Sequence, residues 1–546
     1  MILKRIFTML LLICLVFINA CGNTQDLENN VSSTPTDDTT ETLTVISVLY
    51  SSNDSLDPYK AETELNRRLS SLMFDPLVKL NTVLQPEKVL AKDIQLNGKE
   101  CIVTLKNAYF SDGTPVTAED VEFSLNKALK ATLTVYPKQL SSIKSYEPIS
   151  SDTLKIELKK ADSYFINLLD FPIIKKDSDK LYDENKIELP PIGSGRFVFD
   201  NSTKQLDANT TYICGKPTIE TVKLINAPDD AVINYNLEVG NVSIFNTDLN
   251  DGIIPPMSGT TSTVELNQLV YIGINLNNEY LKIPEIRYAL ASGIDRNAIC
   301  NDAFYSYAKP SEGLFSSAWE DTGKLQNLKQ SADLQNVIAN LDEIGYNNKD
   351  EDGFFTDQNG KTIELRLLTY KDNTSRNNAA KLISEQLIDS GFKIKLIESD
   401  WDSYVQTLTK GDFDLYLAET KLLNNMDVSQ LVTTGGNLSY GIPKSTTETE
   451  TSDQADNNIT INENNDKTDN ETVQPQKPTS YVPLLDNTVN GFYNAEYSLV
   501  DIINAFNAEM PIIPVCHRLG LTVYDSKLNI SEMSSVSDVF FGIKNN

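Results

Sequence analysis

The densest run of side chains that could contact a ligand lies in residues 411–440. It begins with apolar residues at every second position, which is typical of a β-strand, and then becomes abruptly polar. Within nine residues it offers two carboxylates, one ammonium group and two carboxamides, namely Glu419, Lys421, Asn424, Asn425 and Asp427. A buried strand that delivers such groups at its end commonly equips a binding cleft. We therefore expect these side chains, and Tyr440 at the end of the run, to bind a ligand; a solvated loop is the alternative.

These side chains suit recognition better than catalysis. His517 is the one histidine of the chain, so a Ser-His-Asp or Cys-His arrangement would depend on it. We interpret it as a structural or ligand-facing residue and predict that the protein is not an enzyme. HExxH and paired CxxC motifs do not occur in the sequence, and Gly193 and Gly195 lack the rest of a dinucleotide fingerprint. We expect no metal and no cofactor.

Length and charge limit the class of protein further. A chain of 546 residues is too long for a single core, so two or three domains are expected. Lys and Arg number 47 against 76 Asp and Glu, which gives a net charge of −29 and argues against nucleic acid as a partner. Residues 21–42 and 443–480 are polar and poor in large apolar residues. We predict a disordered tether in the first segment and a disordered acidic insertion in the second.

The chain begins with the pattern of an export signal. Two basic residues precede an apolar run over residues 7–18, which is too short to span a membrane comfortably. The sequence Ile-Asn-Ala-Cys-Gly at residues 18–22 resembles the bacterial lipobox, in which the cysteine is lipidated after cleavage. We predict a signal peptide over residues 1–20 and lipidation at Cys21, with an ordinary secretory signal as the alternative. Acyl chains contribute roughly 0.8 kcal/mol per buried CH₂, so the lipid would hold the protein on the outer face of the cell membrane.

Regular elements must position these groups. Thr117 stands three residues before Asp120, which predicts a capping box at the start of a helix, and apolar residues then follow on one helical face up to Leu129. The second half of the chain has the regular alternation of an α/β fold. There we expect helices over residues 284–292, 375–390, 401–408 and 495–505, and strands over residues 269–276, 392–396 and 512–515.

Six motifs follow one another in a recognisable order over residues 43–546. They are FDPLVKL at 74–80, FSDGTPVTAEDV at 110–121, IGSGRF at 192–197, IRYAL through IDR at 286–296, GDFD at 411–414 and PIIP at 511–514. The ordered set resembles the extracellular solute-binding proteins of peptide and nickel ABC importers, known as family 5. The string at 110–121 is the most specific of the six.

The resemblance implies a two-lobed α/β fold of the periplasmic-binding-protein type (type II), enlarged by an extra subdomain. The lobes would be joined by strands that cross near residues 269–276 and 515–522. Lobe I would comprise residues 43–268, with the subdomain at about 57–188, and would be rejoined by residues 521–546. Lobe II would comprise residues 269–520 and carry the insertion.

The resemblance also implies ligand contacts at five further positions. These are Glu62 and Glu64 after the first strand, Asn246 after Gly240, Trp401 at an aromatic position and Arg518 on the last crossing strand. Four of these residues have a stated alternative interpretation, which is a solvated helix face for the glutamates, a core residue for the tryptophan and a surface ion pair for the arginine.

The run at 411–440 departs from the family at one point. Peptide-binding members typically carry Gly-Trp followed by an Asp that pairs with the amino terminus of the peptide. The matching residues here are Glu419 and Thr420, followed by Leu423. Leucine cannot neutralise a buried ammonium group, which is costly to leave unpaired. Either Glu419 or Asp427 takes that role, or the ligand lacks a free amine.

We therefore expect a monomeric, lipid-anchored substrate-binding protein that captures a small polar ligand, an oligopeptide or dipeptide first, in the cleft between the lobes. It would deliver that ligand to a membrane permease. The chain has no GxxxxGK[ST] motif, so a separate ATPase subunit would supply the energy. A surface sensor or adhesin that acts through a partner protein is the alternative, because an acidic insertion such as residues 443–480 can dock partners. A surface hydrolase would need His517.

Overall fold

The computed structural model describes residues 43–249, 253–319, 322–444, 480–528 and 534–543. The predicted signal peptide, Cys21, the tether and nearly all of the acidic insertion lie outside the described residues. Leu43–Asn546 forms one unit. Within the ranges just given, no helix combines the length and the apolar character that a membrane crossing requires.

The strands, in chain order, are β1 (Val45–Tyr50), β2 (Val78–Leu80), β3 (Pro86–Lys88), β4 (Ala91–Asn97), β5 (Glu100–Leu105), β6 (Ile143–Ser150), β7 (Thr153–Leu158), β8 (Phe197–Asp200), β9 (Gln205–Ala208), β10 (Thr221–Asn226), β11 (Ile244–Thr247), β12 (Thr260–Ile274), β13 (Ala308–Pro310), β14 (Glu364–Tyr370), β15 (Lys393–Ser399), β16 (Leu415–Lys421) and β17 (Ile512–Tyr524).

The helices, in chain order, are α1 (Glu64–Met73), α2 (Ala118–Ala128), α3 (Tyr136–Gln139), α4 (Asp230–Glu238), α5 (Pro284–Ser292), α6 (Arg296–Asp302), α7 (Thr322–Leu325), α8 (Leu334–Glu343), α9 (Thr374–Asp389), α10 (Trp401–Lys410), α11 (Ser429–Val432), α12 (Pro483–Tyr493) and α13 (Leu499–Glu509), with a short 3₁₀-helix at Phe165–Leu168.

The first lobe is built around one hydrophobic core, which we call the first core; it includes Val48, Val103, Leu125, Leu168 and Tyr524. β1 pairs in parallel with β10, and β9 and β8 extend that sheet with antiparallel pairing. A separate antiparallel sheet has the order β4-β5-β7-β6, and α2 packs on its β6 and β7 strands. The capping box that begins α2 is confirmed, because both the backbone N–H and the hydroxyl of Thr117 donate to the Asp120 carboxylate, at 2.8 and 2.6 Å.

The second lobe is built around the second core, which includes Leu269, Ile272, Leu415 and Ile513. Its sheet has the order β11-β17-β12-β16-β14-β15, and β13 pairs with β17. β14 lies parallel to β15 and β16, with α9 packed against β14 and β15. This alternation of strands and covering helices is the regular α/β texture that the apolar periodicity predicts.

Two long antiparallel strands connect the lobes. The C-terminal part of β12 and the N-terminal part of β17 lie in the second core, while Tyr524 at the far end of β17 belongs to the first core. There β17 pairs with β11, and β11 in turn contacts β1. The expected fold class, a two-lobed α/β protein with crossing strands and an extra subdomain, is confirmed. The residue boundaries of the lobes stay a prediction.

Several elements differ from the predicted bounds. β12 begins at Thr260 and not near Leu269, because its polar first half is held by pairing with β17 and not by burial. β16 continues through Lys421, so Glu419 and Lys421 lie on a strand and not in a loop. The predicted helix at 495–505 begins at Leu499, where Ser498 and Asp501 form a capping box, and α12 was not predicted.

Candidate functional site

The sheet of the second lobe brings Glu419 and Arg518 together. Val270 on β12 lies opposite Glu419 on one side and opposite Cys516 on the other. Arg518 follows Cys516 by two residues, so its side chain emerges on the same face as that of Glu419. One guanidinium nitrogen of Arg518, Nη1, lies 3.4 Å from Glu419 Oε2, and the two side chains are 2% and 10% exposed. The ion pair is therefore almost entirely buried.

A second arginine approaches the same carboxylate. Arg376 lies in the first turn of α9, which begins just after β14 ends at Tyr370 and is capped by the Asn373 side chain. Arg376 Nε is 3.8 Å from Glu419 Oε2, the same oxygen that faces Arg518. We call Arg376, Glu419 and Arg518 the arginine–glutamate cluster; it combines two positive charges with one negative charge.

Three buried polar atoms of this cluster have no hydrogen-bond partner. They are Glu419 Oε1 and the Nε atoms of Arg376 and Arg518. A buried polar group without a partner costs free energy, and such groups are rare in folded proteins. The cluster is therefore a place where a ligand could supply the missing partners.

The remaining contacts of Arg518 fix its position between the lobes. Its Nη2 donates to the carbonyl oxygen of Leu249 at 2.7 Å, and its guanidinium group lies 4.9 Å from the centre of the Phe304 ring. Leu249 follows β11, which pairs with the first-lobe end of β17. The cluster thus lies where chain segments of both lobes meet.

Two more of the predicted contact residues are joined through an arginine that the sequence did not single out. Arg68 on α1 lies 3.6 Å from the carboxylate of Glu64 and donates to the carbonyl oxygen of Asn246. The side chain of Asn246 donates to Thr522 Oγ1 at 2.7 Å. Burial lowers the pKa of Arg68. Glu64 and Asn246 therefore lie beside the crossing strand β17.

Glu62 is exposed and is separate from this group. Its backbone N–H donates to Asp54 at 3.0 Å, and its carboxylate has no hydrogen bond or ion pair within the described residues. The structure thus favours the interpretation of Glu62 as a solvated residue at the start of α1.

Trp401 is 52% exposed at the start of α10. Its ring lies edge-on to the ring of Tyr370, with centres 5.3 Å apart. The guanidinium group of Arg376 lies 5.6 Å from the centre of the same Tyr370 ring. Trp401 therefore connects to the arginine–glutamate cluster through Tyr370. Its exposure excludes the alternative interpretation as a core residue.

Asn424 and Asn425 contact the other lobe instead of an open cleft. Asn424 Nδ2 donates to Asp170 at 2.6 Å, and Asn425 Nδ2 donates to Asp162 at 2.7 Å. The two aspartates lie on either side of the short 3₁₀-helix, and Leu168 of that helix belongs to the first core. Met426, which directly follows Asn425, belongs to the second core. The two hydrogen bonds therefore join the lobes. We call these four residues the carboxamide clamp. Burial raises the pKa of both Asp162 and Asp170 to about 6.

Lys421 and Asp427 line a small groove at the same boundary. Its walls are formed by Lys138 of the first lobe and by residues of the second lobe, namely Thr420, Lys421, Leu422, Leu423, Asp427, Gln430, Leu431 and Leu438. Leu423 packs against the first core, and the Asp427 carboxylate accepts the N–H of Ser429 at 2.8 Å. Tyr440 is 37% exposed and lies edge-on to Tyr416 of β16.

His517 is buried on β17 opposite Leu269. Burial lowers its pKa to about 4, and its Nε2 atom has no hydrogen-bond partner. It is therefore neutral at physiological pH.

Sequence reasoning missed Arg376, Arg68, Asp162 and Asp170. Arg376 could have been found, because it lies in the first turn of a helix that directly follows a parallel strand, where ligands of α/β proteins commonly bind. The two aspartates carry no such local signal, because their partners lie on the other lobe.

Comparison with known proteins gives consistent matches. The model of a family described as "Bacterial extracellular solute-binding proteins, family 5 Middle" matches residues 85–437. The oligopeptide-binding protein AppA of Bacillus subtilis is 27% identical over 397 residues, which cover 68% of this chain and 70% of AppA.

Solved structures show the same fold. An ABC transporter substrate-binding protein from Sinorhizobium meliloti superposes with a TM-score of 0.67 at 18% identity, covering 91% of this chain and 98% of that one. NikA from Brucella suis, solved in complex with Fe(III)-EDTA, superposes with a TM-score of 0.63 at 15% identity, covering 92% and 100% of the two chains.

Proposed function

The chain belongs to the bacterial extracellular solute-binding proteins of family 5, and from this premise we propose that it is the substrate-binding protein of an ABC importer. This is a family of solute-binding proteins and not of enzymes. In the proposed role the protein captures a small polar solute between its lobes and delivers it to a membrane permease. A separate ATPase subunit supplies the energy.

The arginine–glutamate cluster is the observation that supports this role most directly. It is buried, it lies where segments of both lobes meet, and it contains three polar atoms without partners. Binding sites for small molecules combine a largely buried setting with a few well-placed polar groups. Hinge motion of the lobes would expose and enclose the cluster.

The cargo that we propose is an oligopeptide or a dipeptide. AppA, the relative described above, is named for oligopeptide binding, and its structure contains a nonapeptide. The NikA structure holds a metal chelate instead, so metal chelates are the comparison class for the test below.

We further propose that Cys21 is lipidated and that the mature protein works as a monomer on the outer face of the cell membrane. Mass spectrometry of the protein purified from membranes would test this part. A diacylated or triacylated N-terminal Cys21 is the expected result, and an unmodified N-terminus at another residue would contradict it.

A ligand screen tests the transport role. A ligand that binds only the native state stabilises it by about 2.7 kcal/mol at a hundredfold excess over Kd. We expect peptides to raise the unfolding temperature and sugars and metal chelates to leave it unchanged. If no class changes it, and no small molecule is released from the protein purified from its host, the importer role is wrong.

A further inference from the structure

We propose that Cys300 and Cys516 form a disulfide bond outside the cytoplasm, and that this bond ties the crossing strand β17 to the second lobe. The inference goes beyond the transport role and holds for any cargo. Both thiols are free in this structure. The two cysteines are far apart in the sequence, and no CxxC spacing marks them as a pair.

Two contacts between α6 and β17 bracket the cysteines. Arg296, the first residue of α6, donates from Nε to the carbonyl oxygen of Pro514 at 2.9 Å. Just after the helix, the centre of the Phe304 ring lies 4.9 Å from the guanidinium group of Arg518. Both contacts advance together along the two segments, so helix and strand run alongside each other in the same direction.

The cysteines lie midway between these two contacts. Cys300 is four residues from each of the two helical contact residues, and Cys516 is two residues from each of the two strand contact residues. Four residues of a helix advance by about 6 Å and two residues of a strand by about 6.6 Å, so the two steps match.

The direction of the Cys516 side chain agrees with this spacing. β17 pairs with β13 in regular register over Cys516, His517 and Arg518. The side chains of Cys516 and Arg518 therefore emerge on the same face of the strand, and the Arg518 contact with Phe304 shows that this face meets the chain of α6. A cysteine thus faces a cysteine at the middle of the contact.

The surroundings of the two thiols support the pairing. Cys300 is 2% exposed and Cys516 is wholly buried, and both belong to the second core. Burial raises the pKa of the Cys516 thiol, and the adjacent Cys300 thiol raises it further. Burial lowers the pKa of Arg296 to about 10, and the two cysteines both oppose that shift. The two sulfur atoms are therefore neighbours in the core.

The chemistry needs an oxidising compartment. The family is one of extracellular proteins, and disulfides form and persist outside the cytoplasm. The oxidant is a disulfide of another protein or of a small thiol compound. Because the folded protein shields both thiols, the bond forms before β17 is buried against α6.

The reaction is a thiol–disulfide exchange in two steps. One cysteine thiolate attacks the external disulfide, which forms a mixed disulfide and releases one external thiol. The second cysteine thiolate then attacks the protein sulfur of the mixed disulfide and releases the other external thiol. The protein dithiol is oxidised, the external disulfide is reduced, and the two cysteine protons end on the two released thiols.

The bond constrains both the unfolded chain and the crossing strand. It closes a long loop, since the neighbouring contact between Arg296 and Pro514 already joins residues 218 positions apart, and the effect of a disulfide on the unfolded chain grows with loop length. It also fixes β17 to the second lobe before Leu521, where the strand begins to pair with β11. Lobe motion then bends β17 beyond the crosslink.

A mass map of the full chain, exported by its host, tests the bond. The protein is unfolded without reduction in the presence of an alkylating reagent, digested and analysed by mass spectrometry. We expect a peptide pair joined through Cys300 and Cys516, with Cys101 and Cys214 alkylated. Alkylation of both Cys300 and Cys516 would overturn the proposal, and so would a bond from either of them to another cysteine.

Refolding tests the effect of the bond on stability. The protein is unfolded in urea, reduced, and refolded in a glutathione redox buffer or with a phosphine reductant. The oxidised form should unfold at a temperature higher by roughly 5 °C, and Cys300→Ala should remove this difference. Cys101→Ala is the matched control and should keep it, because Cys101 is also buried but lies opposite Leu96 and Ile156 in the first lobe.

Two results would overturn the stabilising role of the bond. They are equal unfolding temperatures of the two wild-type forms and a difference that survives Cys300→Ala. The mass map needs no variant, so it decides whether the bond forms even where Cys300→Ala does not fold. A protein that fails the ligand screen can still pass both tests, which separates this inference from the proposed function.

Discussion

At the scale of single residues, the ion pair between Arg196 and Asp538 shows how strongly a buried charge depends on its partner. Arg196 Nη2 lies 2.8 Å from Asp538, and both side chains are at most 4% exposed. Burial alone would raise the pKa of Asp538, but the charges of Arg196 and Lys79 hold it below its usual value. Arg196 also donates to the carbonyl oxygen of Phe540 at 2.9 Å. It therefore holds the C-terminal segment on the first lobe.

We predict that Arg196→Met lowers the free energy of unfolding by about 3 kcal/mol, because it breaks a buried ion pair and leaves Asp538 with the more distant charge of Lys79, at 3.3 Å. Urea denaturation at neutral pH measures this change. Lys144→Met is the control, since Lys144 pairs with Glu157 at 2.7 Å on the exposed surface. There a much smaller loss is expected, because an exposed ion pair contributes little to stability. Equal losses in the two variants would contradict the prediction.

The second glycine of the IGSGRF motif, Gly195, lies where the backbone leaves no room for a side chain. A Cβ atom on Gly195 would lie 2.4 Å from the backbone carbon and 2.6 Å from the backbone oxygen of Met73. The N–H of Gly195 donates to that oxygen at 2.9 Å, so the close approach is part of a backbone hydrogen bond that joins this loop to the end of α1.

We predict that Gly195→Ala destabilises the protein by roughly 1–3 kcal/mol, because backbone atoms cannot yield as a flexible side chain can. Gly323→Ala is the matched control; its nearest neighbour would be a side-chain atom of Ser317 at 3.3 Å. Thermal unfolding of both variants is the measurement. An unchanged unfolding temperature for Gly195→Ala would show that the loop shifts at little cost.

At the scale of elements, the segment after β16 contacts the other lobe directly. The carboxamide clamp joins it to residues on either side of the Phe165–Leu168 helix, and the backbone N–H of Ser163 also donates to the carbonyl oxygen of Tyr493 at 2.7 Å. These contacts join the two lobes directly. They would have to break when the lobes separate.

We predict that the double substitution Asn424→Ala and Asn425→Ala shifts the ligand-free protein toward an open arrangement, because each of the two buried carboxylates then loses the hydrogen-bond donor that comes from the other lobe. Small-angle scattering should show a larger radius of gyration than in the wild type. Asn340→Ala, on the exposed face of α8, should leave the radius unchanged. A double variant with the wild-type radius would show that the clamp does not hold the lobes together.

At the scale of the whole molecule, the same clamp should make lobe closure depend on pH. Burial where the lobes meet raises the pKa of Asp162 and Asp170 from 3.8 to about 6, whereas solvent exposure after the lobes open would return both pKa values toward 3.8. The closed arrangement therefore binds more protons between these values. Asp427 and Tyr493 face Asp162, and the negative charge of Asp427 adds to the upward shift in pKa.

We predict that the closed population of the ligand-free protein increases as the pH falls from 7 to 5, because protonation removes the cost of burying the charge. The distance between spin labels on the two lobes measures it. The double variant Asp162→Asn and Asp170→Asn cannot ionise at these positions and should lose the pH dependence. A wild-type distance that is constant from pH 7 to 5 would contradict the prediction.

Local pattern predicted many elements well. The helix at Pro284–Ser292 has the predicted bounds, and the capping box at Thr117 is where the sequence places it. These features depend on periodicity and on side chains within a few residues of one another. The first half of β12 was not predicted, because it is polar and forms a strand only through its pairing with β17.

The sequence by itself determined the fold class, the family, and the strand that begins the polar run at 411–440, because motif order and apolar periodicity are properties of the chain alone. Only the tertiary structure decided what Glu419 and its neighbours contact. Arg518 is 99 positions from Glu419, and Asp162 is 263 positions from Asn425. The physical reason is that the role of a charged or amide side chain depends on the partner that packing places beside it. Here those partners come from both lobes. The polar run at 411–440 is thus divided between a charged cluster and a clamp between the lobes.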